Sequence, residues 1–224
     1  MRVPLERKVL NENDRIAATL RERFRHNGTF CLNLISSPGS GKTALLERTL
    51  AGFDAARRVA VLTGDIQTDN DARRLARYGF PVRQISTGGA CHLDASMVER
   101  HLTDWPVDGQ SRDRKGAVSC LEILFVENVG NLVCPTSYDL GEEARAVLLS
   151  VTEGEDKPLK YPATFHHADL MVLNKIDLLP YVPFSMELAR ENARRVQPGI
   201  EILELSCTSG AGLEQWNDWI QRHL

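Results

Sequence analysis

The chain has 224 residues (25.0 kDa), 42% hydrophobic and 25% charged, a mixture that fits one globular domain with modest additions and excludes a disordered or fibrous protein. Lys and Arg number 27 against 30 Asp and Glu, a formal charge of -3, so there is no basic field for a polyanion and no nucleic-acid partner is expected. No apolar run is long enough for a membrane span, the opening residues lack a secretory h-region, and five cysteines cannot all pair within one chain; the expectation is a cytoplasmic protein with reduced thiols and no membrane contact.

The first predicted element is a helix capped by Asn13 or Asp14, with Ile16, Leu20 and Phe24 recurring on one face. It sets residues 1–28 apart as an N-terminal helical extension before a single domain over 29–224. From Phe30 onward, short apolar runs alternate with amphipathic stretches. Strands are predicted at 30–35, 58–62, 121–126, 146–151, 170–173 and 200–205, and helices at 43–50, 71–77, 185–196 and 213–223. This alternation predicts an α/β fold, a mainly parallel sheet with helices on both faces. The polar stretch 103–116 reads as an exposed loop.

Between the first strand and its helix stands Ser36-Ser37-Pro38-Gly39-Ser40-Gly41-Lys42-Thr43. A nucleoside triphosphate needs many donors in a small volume, and a glycine-rich turn running into a helix N-terminus supplies them. Lys42 can reach the β- and γ-phosphates, and the Thr43 hydroxyl can ligate Mg²⁺, the division of labour of a Walker A loop. Ser37, Pro38, Gly39, Ser40, Gly41, Lys42, Thr43 and Ala44 are the expected phosphate contacts, although Ser36 replaces the usual first glycine.

Further along, Gly64-Asp65-Ile66-Gln67-Thr68-Asp69 follows the second strand and brings two carboxylates toward the strand ends. One is expected to serve Mg²⁺ and the other the attacking water. Asp65, nearer the strand, is the Mg²⁺ candidate, and the assignment between Asp65 and Asp69 stays open. Glu127-Asn128-Val129-Gly130 follows the third long apolar run, where Glu127 can hold Mg²⁺ and Gly130 lets the backbone move with a γ-phosphate. No motif marks an internal arginine finger, so hydrolysis is expected to be slow.

Asn174-Lys175-Ile176-Asp177 ends the run 170–173. A carboxylate at Asp177 can accept from both N1–H and the exocyclic amine of guanine, whereas adenine presents an acceptor at N1; GTP is the expected nucleotide. Ser206 and Cys207, after the last strand, are expected to close over the base. Finally, Cys91 and His92 stand side by side, and Cys134 follows Glu127 by seven residues. Thiolate and imidazole together suit Ni²⁺, Zn²⁺ or Cu, and three ligands leave a site that water or a second subunit would complete.

The segments 37–43, Gly64-Asp65, Gly89-Ala90-Cys91-His92-Leu93, 127–135, Thr152-Glu153-Gly154, 157–162 and 174–177 together resemble the hydrogenase nickel-incorporation GTPases, the HypB family, in that family's order. The resemblance covers about residues 11 to 224. It implies a P-loop NTPase fold, with metal-binding segments inserted in a GTPase domain, and an Mg-dependent GTPase that forms a homodimer on GTP. It further implies Cys91, His92 and Cys134 as nickel or zinc ligands at the subunit interface, Lys157 in the nucleotide region, and a role with a partner chaperone in maturing the large subunit of a [NiFe] hydrogenase. Departures are a start without a Cys-rich or His-rich stretch, so no separate metal store is expected, and Ser206-Cys207-Thr208 where an alanine-lysine pair is commoner. Two other readings compete: a urease-type nickel maturation GTPase, which carries Cys-Pro-His in place of Cys91-His92, and a P-loop kinase or ATPase with structural cysteines.

Overall fold

The structure is a computed structural model that describes residues 3–65, 69–103, 105 and 120–224; of residues 3–7 and Asp65 it describes the backbone only. The predicted loop 103–116 therefore lies almost wholly outside the described residues. In chain order the elements are α1 (Val3–Asn27), β1 (Phe30–Ser36), α2 (Lys42–Ala51), β2 (Val59–Asp65), α3 (Asn70–Ala76), β3 (Val82–Ser86), α4 (Ala95–Thr103), β4 (Ile123–Glu127), β5 (Ala144–Ser150), α5 (Lys157–Lys160), α6 (Pro162–His166), β6 (Leu170–Asn174), α7 (Met186–Val196), β7 (Glu201–Glu204) and α8 (Leu213–Gln221). Two 3₁₀ turns, Cys134–Ser137 and Ile176–Tyr181, follow β4 and β6.

All seven strands are parallel, in the order β3-β2-β4-β1-β5-β6-β7. Parallel strands covered on both faces are buried on both, which is why β1, β4, β5 and β6 are buried along their whole length and read as mainly apolar runs. Side chains alternate across the sheet. From β1, Phe30, Leu32 and Leu34 pack with Leu45 and Leu46 of α2 and with Trp216 and Trp219 of α8. Cys31 turns to the other face with Leu20 and Phe24 of α1 and Val98 of α4, and Ile35 joins Phe165 of α6 and Ala189 of α7. Trp216 and Trp219 stack at 6.0 Å, and Trp216 Nε1 donates to Thr49 Oγ1 at 2.8 Å, which fixes α8 to α2.

The first helix departs from expectation. It begins at Val3 rather than near Asn13, because Asn13 is buried and employed elsewhere: its Oδ1 accepts from Ala95 N at 2.9 Å, at the start of α4, and its Nδ2 donates to Asp139 O at 2.9 Å. The edge strand β3 and helix α4 are elements that the sequence reading lacks. No helix among the described residues is long and apolar enough to cross a membrane. Because β1 lies between β4 and β5, the loops leaving these strands open a crevice at their C-terminal ends, and the chemistry of the molecule gathers there.

Candidate functional site

The loop after β1 turns into α2 at Gly41, whose φ of 105° and whose Cα lies so close to the Asn174 side chain that a Cβ there would collide with Nδ2. Only glycine fits that position. Lys42 is buried and its Nζ donates to Ser36 Oγ at 2.8 Å; the serine standing where a glycine is usual thus holds the lysine. Burial lowers the Lys42 pKa, partly offset by the nearby Glu127 carboxylate. Pro38, Gly39, Gly41, Lys42, Thr43 and Ala44 form one wall of a cavity of about 450 Å³, closed opposite by Gly64, Asp71, Arg74 and Glu127 to Gly130. Backbone N–H groups at a helix N-terminus, a lysine and an open volume of that size suit a polyphosphate.

Glu127, at the end of β4, is 4% exposed and accepts from Thr43 Oγ1 at 2.6 Å through Oε1. Its Oε2 is buried without a hydrogen-bond partner among the described residues. Burial pushes this carboxyl up to about 7, against the pull of Lys42 and Thr43. A buried carboxylate oxygen with no donor, beside a threonine hydroxyl and a phosphate cradle, fits a hard divalent cation such as Mg²⁺. Asp65 ends β2 opposite Ser86, and its side chain lies outside the described residues. Asp69 turns away from the cavity to pair with Arg73 at 2.7 Å. The carboxylate that α3 aims into the cavity is Asp71, with Arg74 beside it; Arg74 grips Glu47 through Nε and Nη2 at 3.1 and 2.7 Å. The sequence signal for this pair is Asp71 and Arg74 one helical turn apart, which puts them on one face.

The segment after β6 braces the phosphate loop. Asn174 Nδ2 donates to Ser40 O at 2.8 Å, and Lys175 Nζ donates to Gly39 O at 2.7 Å. Lys175 takes φ 64°, a left-handed conformation unfavourable for a residue with a Cβ, held by a hydrogen bond from its N–H to Asn174 Oδ1 at 2.7 Å. Ser206 Oγ donates to the Asp177 carboxylate, and Cys207 N points at Asn174 Oδ1 at 3.5 Å, so the two strand-end loops meet. Burial pushes the Cys207 thiol up to about 11, which keeps it protonated. Lys157 lies 3.5 Å from Glu153 Oε2, and Glu153 Oε1 accepts from Ser40 Oγ at 2.6 Å, so Lys157 is linked to the phosphate loop through one carboxylate.

A further cluster joins the loop after β3 to the segment after β4. Ligand atoms of Cys91, His92 and Cys134 all lie within 4.8 Å of one another, and all three residues are half-buried. Two glycines at positive φ, Gly88 and Gly89, turn the chain between β3 and Cys91, and Thr87 Oγ1 closes that turn on Ala90 O at 2.7 Å. Asn131 Nδ2 holds Cys91 O at 3.4 Å, and Tyr138 stacks on the His92 ring at 3.8 Å. Burial lowers the His92 pKa, which favours the neutral imidazole that ligates; a hydrogen bond with the Cys134 thiol raises that of Cys91. Two thiols and an imidazole with a fourth position open are a donor set for Zn²⁺ or Ni²⁺. Among the described residues no other group of three such ligands forms; His166 and His167 sit at the exposed end of α6.

Comparison with known proteins places the chain in a family. Residues 31–204 match the family model described as CobW/HypB/UreG, nucleotide-binding domain. The chain is 51% identical over 218 residues to the hydrogenase maturation factor HypB of Azotobacter vinelandii, covering 97% of this chain and 68% of that protein. Among solved structures, HypB from Helicobacter pylori in complex with nickel superposes with a TM-score of 0.83 at 41% identity, covering 94% of each chain. HypB from Archaeoglobus fulgidus gives 0.83 at 37% identity, covering 95% of this chain and 98% of that one. With a seven-stranded parallel sheet, a phosphate loop after its central strand and this degree of identity, the chain belongs to the CobW/HypB/UreG family of P-loop nucleotide-binding proteins, among the HypB hydrogenase maturation factors.

Proposed function

We propose that this protein is a cytoplasmic GTP-hydrolysing metallochaperone that binds nickel and, through its nucleotide state and homodimerisation, governs nickel insertion into a [NiFe] hydrogenase. The observation that carries the reading is the metal cluster: Cys91, His92 and Cys134 converge within 4.8 Å, and Cys134 stands on the same short segment as Glu127, the buried carboxylate of the phosphate cavity. Zinc fits the same donors. A three-ligand set leaves a coordination position for a second copy of the chain or for the cargo's recipient, which supports a homodimer and hand-over to a maturation partner or hydrogenase subunit.

In this reading the backbone of residues 37–44 and the Lys42 ammonium bind the phosphates, and Asp177 accepts from the guanine edge while Asn174, Lys175, Ser206 and Cys207 form the rim. Thr43 and Glu127, with Asp65, would hold Mg²⁺, which when bound neutralises charge on the β- and γ-phosphates. Gly130 packs against Pro38, where an added Cβ would lie 3.1 Å from Pro38 Cα, so the β4 loop lies directly against the phosphate loop and a larger residue at 130 would crowd it. With Asp65 given to Mg²⁺, Asp71 is the candidate to orient the water that attacks the γ-phosphate, and Asp69 is the weaker one given its pairing with Arg73.

The test is hydrolysis and metal content measured together. The protein with Mg²⁺ is expected to turn over GTP in preference to ATP, and wild type should carry stoichiometric nickel that Cys134→Ala loses. Equal turnover of ATP would favour the kinase or ATPase alternative, and undiminished nickel binding in Cys134→Ala would make the cysteine pair structural.

A further inference from the structure

One polar side chain interrupts the apolar run of β1. Asn33 is fully buried in the middle of the sheet, and it is the centre of a continuous chain of hydrogen bonds. On one side its Oδ1 accepts from Asn128 Nδ2 at 3.3 Å; Asn128 Oδ1 in turn accepts from the backbone N–H of Leu93 at 3.2 Å and of Val129 at 3.0 Å. On the other side Asn33 Nδ2 donates to Glu142 Oε1 at 3.0 Å. The same oxygen accepts from Arg145 Nη2 at 2.6 Å, and Arg145 donates to the carbonyls of Thr136 and Tyr138 at 3.3 Å each.

The two ends of this chain are the two arms of the metal cluster. Leu93 follows His92 directly, and Thr136 lies in the 3₁₀ turn that begins at Cys134, while Tyr138 carries the ring stacked on His92. Its middle touches the nucleotide cavity, because Asn128 stands between Glu127 and Val129 in the cavity wall.

The chain also has a fixed polarity. Glu142 can only accept, so Asn33 must present its amide N–H₂ there and its carbonyl to Asn128; Asn128 must then present N–H₂ to Asn33 and its carbonyl to two backbone N–H groups. Flipping either amide would set acceptor against acceptor in a buried site, where an unmade hydrogen bond is costly. A displacement of Asn128 cannot be absorbed by one local flip.

We propose that Asn33 and Arg145 are positioning residues that tie the setting of both metal-ligand arms to the position of the Glu127 to Gly130 loop, and so to the nucleotide bound. The inference rests on the nucleotide and nickel assignments above. It is tested by titrating Ni²⁺ into the full chain saturated with Mg-GDP or with a non-hydrolysable Mg-GTP analogue, for wild type, Asn33→Leu and Arg145→Lys, following the thiolate-to-nickel absorption band. The readout is the ratio of the two nickel affinities, since a merely structural defect weakens both states alike and leaves the ratio unchanged. Wild type is expected to show a ratio of about 5 to 150, the usual range for coupled sites, and each variant a ratio within about twofold of one, with nickel still bound. Should Asn33→Leu fail to fold, Arg145→Lys, which keeps a cation facing Glu142 but cannot span both carbonyls, decides the matter. A folded variant that keeps the wild-type ratio overturns the positioning role alone; a wild-type ratio of one overturns the nucleotide–metal coupling itself and this inference with it.

Discussion

Glu127 combines burial, an unsatisfied oxygen and a lysine neighbour, and its chemistry can be read through pH. Its carboxyl sits at about 7 against an ordinary 4.5, so the folded protein holds that proton more tightly than the unfolded chain does. Taken alone, the group therefore destabilises the fold as pH rises from about 4.5 to about 7. A divalent cation beside it favours the carboxylate, so binding of Mg-nucleotide should release a proton and tighten as pH rises from about 6 to about 8. Calorimetry of Mg-GDP binding across that range checks the sign, and Glu127→Gln should flatten the dependence; an equal slope in the variant would contradict the assignment. The opposite end of the site titrates by competition. Protons compete with metal for Cys91, Cys134 and His92, and the raised pKa of Cys91 sharpens that competition, so nickel affinity should fall as pH falls. In the proposed guanine site, Asp177→Asn would replace an acceptor by a donor toward the guanine amine. Losing hydrogen bonds to a charged group costs about 1.5–3 kcal/mol each, so GTP affinity should drop at least about tenfold, while XTP, with a carbonyl in place of the amine, should gain. Competition binding with GTP, XTP and ATP measures it.

At the scale of elements, the same physics explains what was legible in the sequence. Runs such as Phe30–Ser36 and Leu170–Asn174 are mainly apolar because both faces are covered, and Gly41 in the turn after β1 is required by the Asn174 amide that crowds it. The phosphate loop, the Glu127 segment and Asn174 to Asp177 could be found because each pairs a strand end with an unusual residue set, and Cys91-His92 because a thiol and an imidazole stand side by side. The edge strand β3 escaped because only Val82 and Ile85 of its five residues are apolar, and only Ile85 is fully buried. Rotation of α3 was equally hidden: three carboxylates, Asp65, Asp69 and Asp71, lie within one turn region, and spacing alone does not say which faces inward. The structure turns Asp71 into the cavity and leaves Asp69 to Arg73. Turnover should accordingly fall by about tenfold or more in Asp71→Asn and by less than about twofold in Asp69→Asn, the general range for a positioned acid–base group being 10²–10⁴. Steady-state GTPase assays of the pair distinguish them. For α8, Trp216→Ala removes a fully buried ring and its hydrogen bond to Thr49 Oγ1, and should destabilise the fold by about 3–5 kcal/mol in denaturant unfolding.

For the whole molecule, the sheet order brings nucleotide and metal chemistry to adjacent loops. The phosphate loop leaves β1, and the Glu127 to Cys134 segment leaves neighbouring β4; of the proposed metal ligands, Cys91 and His92 come from the loop after edge strand β3 and Cys134 from the loop after β4. If the GTP state changes nickel affinity, linkage requires nickel to change GTP affinity by the same factor. The most direct measurement is therefore the affinity of a non-hydrolysable Mg-GTP analogue with and without saturating Ni²⁺, on wild type and Cys134→Ala, with sedimentation recording the dimer fraction in each sample. The account predicts a shift of about fivefold or more in wild type, equal to the shift in nickel affinity between nucleotide states, and none in Cys134→Ala. An analogue affinity indifferent to nickel in the wild type would contradict it.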